Sequence, residues 1–209
     1  MLTPAIHQDL ARQLHQAEQS RTQILAPSLQ HPEITIEDAY AVQKAWVAIK
    51  LAEGQKIVGH KIGLTSRAMQ MSSQINEPDF GTLLDEMVYQ DASDIDCARF
   101  IDPMVEVELA FILKDRLEGE QVTIFDVLSA TDYVVPAVEI IDARCHRIDP
   151  LILHRQIHDD GPRSAAHLTT GFFYLPHRPL QFPHQLAQLD RHPVDGASQF
   201  SQLILPRYR

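Results

Sequence analysis

The spacing of apolar residues changes once along the chain, from a helical period to one closer to that of strands. Ile6, Leu10 and Leu14 recur every four residues behind Thr3-Pro4, a pair typical of a helix start. This spacing predicts an amphipathic helix that ends near Gln19.

A second helix is predicted from residue 35 onwards. Thr35 and Asp38 have the spacing of a capping box, and Gly54 is placed to end the helix as a C-cap. The predicted apolar stripe consists of Tyr40, Val47 and Leu51.

Three apolar segments after Gly54 predict strands, because they are rich in β-branched residues: KIVGHKIGL (56–64), MVEVELAFIL (104–113) and YVVPAVEII (133–141). Pro136 should lie at a sheet edge or a bulge, since proline donates no ladder hydrogen bond. TIFDVLSA (123–130) predicts a short helix and EPDFG (77–81) a turn or loop.

These elements predict an α+β fold with N-terminal helices followed by a mixed β-sheet. We divide the chain into a helical region (1–55), a β region (56–150) and a tail (151–209).

The composition is that of a soluble globular protein, with 44% hydrophobic and 22% charged residues. A net charge of −10 argues against a nucleic-acid surface, and the apolar runs are too short to span a bilayer. The N-terminal segment is polar and periodic, unlike a signal peptide. Two cysteines, Cys97 and Cys145, suit a reducing compartment. We expect a cytoplasmic protein that binds neither nucleic acid nor membranes.

The tail differs in composition from the rest of the chain. It contains four Asp and six Arg but no Lys or Glu, together with six of the 13 prolines. The prolines are too closely spaced for a long helix. Six of the 11 histidines also lie there, at irregular spacings that do not indicate a metal site.

Two glutamates occur in the otherwise apolar strand 104–113. Glu106 and Glu108 point to the same face, with Cα atoms roughly 6.6 Å apart, so both could reach one ion. Glu139 repeats the anomaly in the strand 133–141. Three carboxylates form an oxygen-only site that suits Mg²⁺ or Mn²⁺. The alternative is that the pair marks the solvent side of a half-exposed strand. We expect the opposite face to be core: Val105, Val107, Leu109, Phe111 and Leu113.

Lys61 and Asp79 each allow two interpretations from the residues alone. Lys61 could extend to water, or lie buried near a metal with a depressed pKa and transfer protons. Asp79 could be an ordinary turn former or an acid–base group.

Five segments together resemble the hydratase/decarboxylase branch of the fumarylacetoacetate hydrolase superfamily. They are EITIEDAYAVQKAW (33–46), GHKIGLTSRAMQ (59–70), INEPDFGTLLDEM (75–87), PMVEVELAFIL (103–113) and YVVPAVEIIDARCHRIDP (133–150).

The resemblance implies a β-sheet roll or barrel with a Mg²⁺ or Mn²⁺ site at Glu106, Glu108 and Glu139. It also implies acid–base roles for Lys61 and Asp79, and a position beside the site for His60. The implied activity is hydration of a 2-oxo-alkenedioate (2-oxo-hept-3-ene-1,7-dioate) by a homo-oligomeric enzyme of aromatic-compound catabolism. Alternatives are a 2-oxopent-4-enoate hydratase, a 4-oxalocrotonate decarboxylase, or an inactive truncated paralogue.

The resemblance ends near Asp149-Pro150, and the chain is about a fifth shorter than is usual in the family. The tail is therefore either a divergent ending or an out-of-frame translation, and its change in composition favours the latter. In either case we expect the β-sheet to be incomplete at its C-terminal part.

Overall fold

A computed structural model describes residues 1–73, 75–146, 172–176 and 199–205. Most of the tail, including its six histidines, lies outside the described residues. The two interpretations of the tail, a divergent ending and an out-of-frame translation, concern these same residues. Within the described part, no helix has the length and apolar character needed to cross a bilayer.

The N-terminal layer contains three helices: α1 (Pro4–Ser20), α2 (Pro27–Gln30) and α3 (Ile36–Ala52). The Thr3 side chain caps α1 by accepting a hydrogen bond from the backbone of Ile6, at 3.4 Å. Thr35 and Asp38 form the predicted capping box of α3. Gly54 follows the end of α3 with φ of 97°, a conformation that favours glycine.

The buried face of α3 differs from the predicted stripe. Val47 is buried, but Leu51 is 42% exposed and the inward position beside it is taken by Lys50. The Lys50 ammonium is held there by the Glu18 carboxylate of α1, at 2.6 Å. Lys50 and Arg144 also lie over the ring of Trp46, with distances of 5.3 Å and 4.8 Å to the centroid.

Seven strands form one mixed sheet. They are β1 (Ile57–Gly63), β2 (Asp79–Leu84), β3 (Val88–Gln90), β4 (Met104–Leu113), β5 (Thr131–Ala143), β6 (Phe172–Pro176) and β7 (Gln199–Leu205). Their order is β2-β1-β6-β4-β5-β7-β3, and the pairs β4–β6 and β3–β7 are parallel. The predicted α+β fold with N-terminal helices is confirmed, and among the described strands the sheet does not close into a barrel.

Two short helices, α4 (Arg67–Ser73) and α5 (Ile124–Ala130), connect the strands, and α5 was predicted. The prediction of a turn or loop at EPDFG is partly wrong, because Asp79 begins β2 and pairs with Gly63 of β1. Pro136 pairs with Leu109 of β4, and among the described residues β7 pairs with β5 only from Val138 onwards. Within the described part of the sheet, Pro136 therefore lies at a locally open edge, as predicted.

The predicted orientation of β4 is wrong. Val105, Val107 and Leu109 were expected in the core but are 43%, 54% and 41% exposed. The glutamate face is the buried one, and Ala110 and Ile112 on that face pack with Leu83, Val135 and Ala137. Alternation shows that the two faces of a strand differ, but it does not show which face the rest of the chain covers.

Candidate metal centre

The pairing of β4 with β5 brings the three glutamates together. Glu106 lies directly opposite Glu139, and Glu108 lies opposite Ala137, whose small side chain leaves room beside it. Like charges placed directly opposite each other on a sheet are destabilising. The register therefore creates an electrostatic cost that a cation would offset.

One oxygen from each of Glu106, Glu108 and Glu139 lies within 4.8 Å of the others. Glu139 and Glu108 are 0% and 1% exposed. Both oxygens of Glu106 and the second oxygen of Glu139 are buried and accept no hydrogen bond from the described residues. An all-oxygen set with this spacing fits a small divalent cation, whose ligand oxygens lie about 2.0–2.1 Å from Mg²⁺. The residues present therefore fit a site for a divalent cation.

Lys61 extends from β1 into this cluster and ion-pairs with Glu139, with 2.6 Å between Nζ and Oε1. Burial lowers the pKa of Lys61, but the charge and hydrogen bond of Glu139, with the charges of Asp79 and Glu106, outweigh burial and raise it. Lys61 therefore carries a proton at neutral pH.

Glu106 responds to the same surroundings in the opposite way. Burial and the charge of Glu139 raise the pKa of Glu106 to about 7, although Lys61 acts to lower it. A carboxylate with such a pKa loses its proton near neutral pH, and a bound cation would favour that loss.

Asp79 at the start of β2 is half-buried near Lys61. Burial raises the pKa of Asp79, while Lys61 and a hydrogen bond from the Gly63 backbone oppose the increase. Gly81, two residues further on, lies opposite Lys61, and a Cβ there would come within 3.1 Å of Lys61 Cγ. This role of Gly81 was not predicted, although the residue belongs to the EPDFG segment (77–81).

His60 is not brought into the cluster. Its side chain is exposed, and as the neighbour of Lys61 in a strand it points to the opposite face. The structure thus brings together Glu106, Glu108, Glu139, Lys61 and Asp79 among the six residues singled out from the sequence.

Comparison with curated proteins gives matches over about two thirds of the chain. No model of a known protein family matches it. The chain is 63% identical over 144 residues to a 2-oxo-hept-4-ene-1,7-dioate hydratase of Escherichia coli, covering 69% of this chain and 54% of the relative. It is 41% identical over 143 residues to a 2-keto-4-pentenoate hydratase of Paraburkholderia xenovorans (strain LB400), covering 68% and 53%. The chain thus spans about half the length of the curated relatives it matches.

Two solved structures are similar to the fold. Both are of 4-oxalocrotonate decarboxylase from Pseudomonas putida G7, at 34% identity and covering 83% of this chain. One is complexed with magnesium and adipate (TM-score 0.67, 64% of that chain), and the other with calcium and acetate (TM-score 0.66, 63% of that chain). Over its matched residues, the chain is therefore similar to 2-oxo acid hydratases and to a decarboxylase, in line with its resemblance to the hydratase/decarboxylase branch of the fumarylacetoacetate hydrolase superfamily.

Proposed function

We propose that the protein is a divalent-metal-dependent hydratase that adds water to a 2-oxo-alkenedioate, converting 2-oxo-heptenedioate to 4-hydroxy-2-oxoheptanedioate. One observation carries the proposal: three buried carboxylates converge within 4.8 Å, and a lysine ammonium lies 2.6 Å from one of them. The relatives named as hydratases support the reaction class. The magnesium and calcium in the decarboxylase structures support a divalent cation in this fold.

In this proposal Glu106, Glu108 and Glu139 hold Mg²⁺ or Mn²⁺. When bound, the cation supplies a Lewis acid for the adjacent carboxylate and keto oxygens of a 2-oxo acid. The buried faces of β4 and β5 exclude bulk water from these carboxylates, which strengthens the electrostatic interactions within the cluster.

Lys61 and Asp79 have different roles in this scheme. Lys61 holds its proton at neutral pH, because carboxylates surround it, and it orients Glu139 by their hydrogen bond. Asp79 has a raised pKa, which brings it closer to the range where a carboxyl group exchanges protons reversibly. We assign to Asp79 the transfer of a proton to and from substrate carbon, and to Lys61 the stabilisation of developing negative charge.

A second candidate is decarboxylation of a 2-oxo dicarboxylate. It is favoured by the similarity of the fold to 4-oxalocrotonate decarboxylase at TM-scores of 0.67 and 0.66. Both reactions need electron withdrawal at the keto oxygen of a 2-oxo acid, and a cation held by the three carboxylates would supply it for either. The products separate them, because only decarboxylation releases CO₂.

The test is a steady-state assay of the full chain with 2-oxo-heptenedioate and Mg²⁺, with separate detection of the hydrated product and of CO₂. We expect hydration that stops on chelation and in Glu139→Gln, while Glu120→Gln, an exposed glutamate on a loop, keeps full activity. Turnover that survives both chelation and Glu139→Gln contradicts the proposal. The proposal includes a homo-oligomeric enzyme located in the cytoplasm, which sedimentation and cell fractionation test.

A further inference from the structure

We propose that Asp142 is a positioning residue that sets the register of β4 against β5, and with it the meeting of Glu106 and Glu139. Asp142 is on β5, three residues after Glu139, and is 0% exposed. Its Oδ1 accepts hydrogen bonds from the backbone of Asp102 at 2.7 Å, Ile101 at 3.0 Å and Ala143 at 3.1 Å, and its Oδ2 accepts from Ile101 at 2.9 Å. Two of these donors lie immediately before β4.

The register of β4 needs such a constraint, because hydrophobic burial does not specify it at this end of the strand. In the first half of β4, Glu106 is half-buried and Glu108 is buried, whereas Val105 and Val107 are exposed. A shift by one residue would reverse these faces, which burial of apolar surface alone would favour. The inward apolar residues Ala110 and Ile112 hold only the second half of the strand.

Asp142 acts at the end where the glutamates lie. The ladder begins with Met104 opposite Ile141, the residue before Asp142. A shift of β4 by two residues would carry the Ile101 and Asp102 amides about 6.6 Å from their acceptor, at about 3.3 Å per residue. It would also place Glu106 opposite Ala137 or Ile141 in place of Glu139. The carboxylate thus penalises each shifted register directly.

The structural part of this inference stands on its own, and only its consequence for metal binding rests on the proposed function. The experiment therefore measures register and Mg²⁺ affinity separately. Disulfide formation reports the register in a background with Cys97→Ser and Cys145→Ala. Val107→Cys with Val138→Cys reports the native register, because these residues lie directly opposite each other. Val107→Cys with Ile140→Cys reports a shift by two residues.

Asp142→Ala and Asp142→Asn are then introduced into each reporter. The matched control is Asp38→Asn, which alters another fully buried aspartate that accepts backbone hydrogen bonds, but in the helical layer. We expect Asp142→Ala to lower the yield of the native disulfide at least threefold and to raise that of the shifted one. Asp142→Asn should be intermediate, because its amide oxygen still accepts. Asp38→Asn should change neither yield.

Mg²⁺ affinity is measured by titration calorimetry on the same variants without the introduced cysteine pairs. We expect the affinity to be at least tenfold weaker for Asp142→Ala and unchanged for Asp38→Asn. Unaltered disulfide yields in a folded Asp142→Ala variant would overturn the proposal. If that variant does not fold, hydrogen exchange of backbone amides in the unsubstituted chain provides the test. The amides of Ile101 and Asp102 should exchange as slowly as the hydrogen-bonded amides of β4, and rapid exchange of these two amides refutes the proposal. Altered yields in a chain that does not bind Mg²⁺ would support the register role and reject the proposed metal site.

Discussion

Glu106→Gln should make the metal-free protein more stable while removing its capacity to bind the ion. The pKa of Glu106 is raised from 4.5 to about 7, so the folded protein binds this proton more tightly than the unfolded chain does. The free energy of unfolding therefore falls as the pH rises from about 4.5 to about 7, and the loss persists above that range. At about 1.4 kcal/mol per pKa unit, ionised Glu106 costs up to about 3 kcal/mol at pH 8 and less than about 1 kcal/mol at pH 5.

Glutamine has the shape of the protonated side chain and does not ionise, so it should recover most of this cost. We expect Glu106→Gln to raise the free energy of unfolding by about 1–3 kcal/mol at pH 8 and by less than about 1 kcal/mol at pH 5. The assay is urea denaturation in the presence of a chelator, followed by circular dichroism, with Glu120→Gln as the exposed control.

Excess Mg²⁺ should reverse the ranking, because ligand at about 1,000 times its Kd stabilises the unsubstituted protein by about 4.1 kcal/mol, which exceeds the gain expected from Glu106→Gln, and should not stabilise that variant. The reasoning is refuted if Glu106→Gln is destabilised at pH 8 without metal, or if its effect is the same at both pH values.

Three further predictions follow from the same geometry and its surroundings. The affinity for Mg²⁺ should increase as the pH rises through about 7, because Glu106 must lose its proton to bind; calorimetry that gives equal affinities at pH 6 and pH 8 contradicts this. Gly81→Ala should lower the hydration rate at least tenfold by displacing Lys61, with little change in circular dichroism. Thr82→Ala, on the other face of β2, is the control and should retain activity. Equal hydration rates for the two variants would contradict the proposed contact between residue 81 and Lys61. Asp38→Asn should lower the Tm more than Asp126→Asn does, although both alter capping boxes, because Asp38 also accepts from His7 and from the Leu2 backbone. The pKa of Asp38 is lowered to about 2, so its contribution to stability is present above about pH 4 and is lost as the pH falls towards 2; equal melting curves for the two variants at pH 7 would contradict this.

Local chemistry made much of the fold predictable from the sequence. The starts of α1 and α3 follow from Thr3-Pro4 and from the Thr35–Asp38 capping box, which act within a few residues. The segments of β1, β4 and β5 follow from their β-branched composition, and among the described strands Pro136 lies at a locally open edge as expected. A shared site for Glu106, Glu108 and Glu139 could be predicted because these charged residues occur in otherwise apolar strands.

The errors concern contacts between segments that are distant in sequence. The outward face of β4 could not be inferred, because both faces contain apolar residues and the choice depends on what covers the strand. Leu51 was expected in the core, but Glu18 of α1 holds Lys50 in the buried position. Gly81 and Asp142 become meaningful only through partners on other strands or in the preceding loop. A sequence pattern shows none of these partners.

Trp46, the single tryptophan of the chain, is 4% exposed and lies near two cationic groups, one of them from the segment just after β5. Its fluorescence is therefore an intrinsic optical probe of the junction between α3 and the end of β5. Rapid-mixing experiments could use this emission to time the docking of the helices onto the strands, without any added dye.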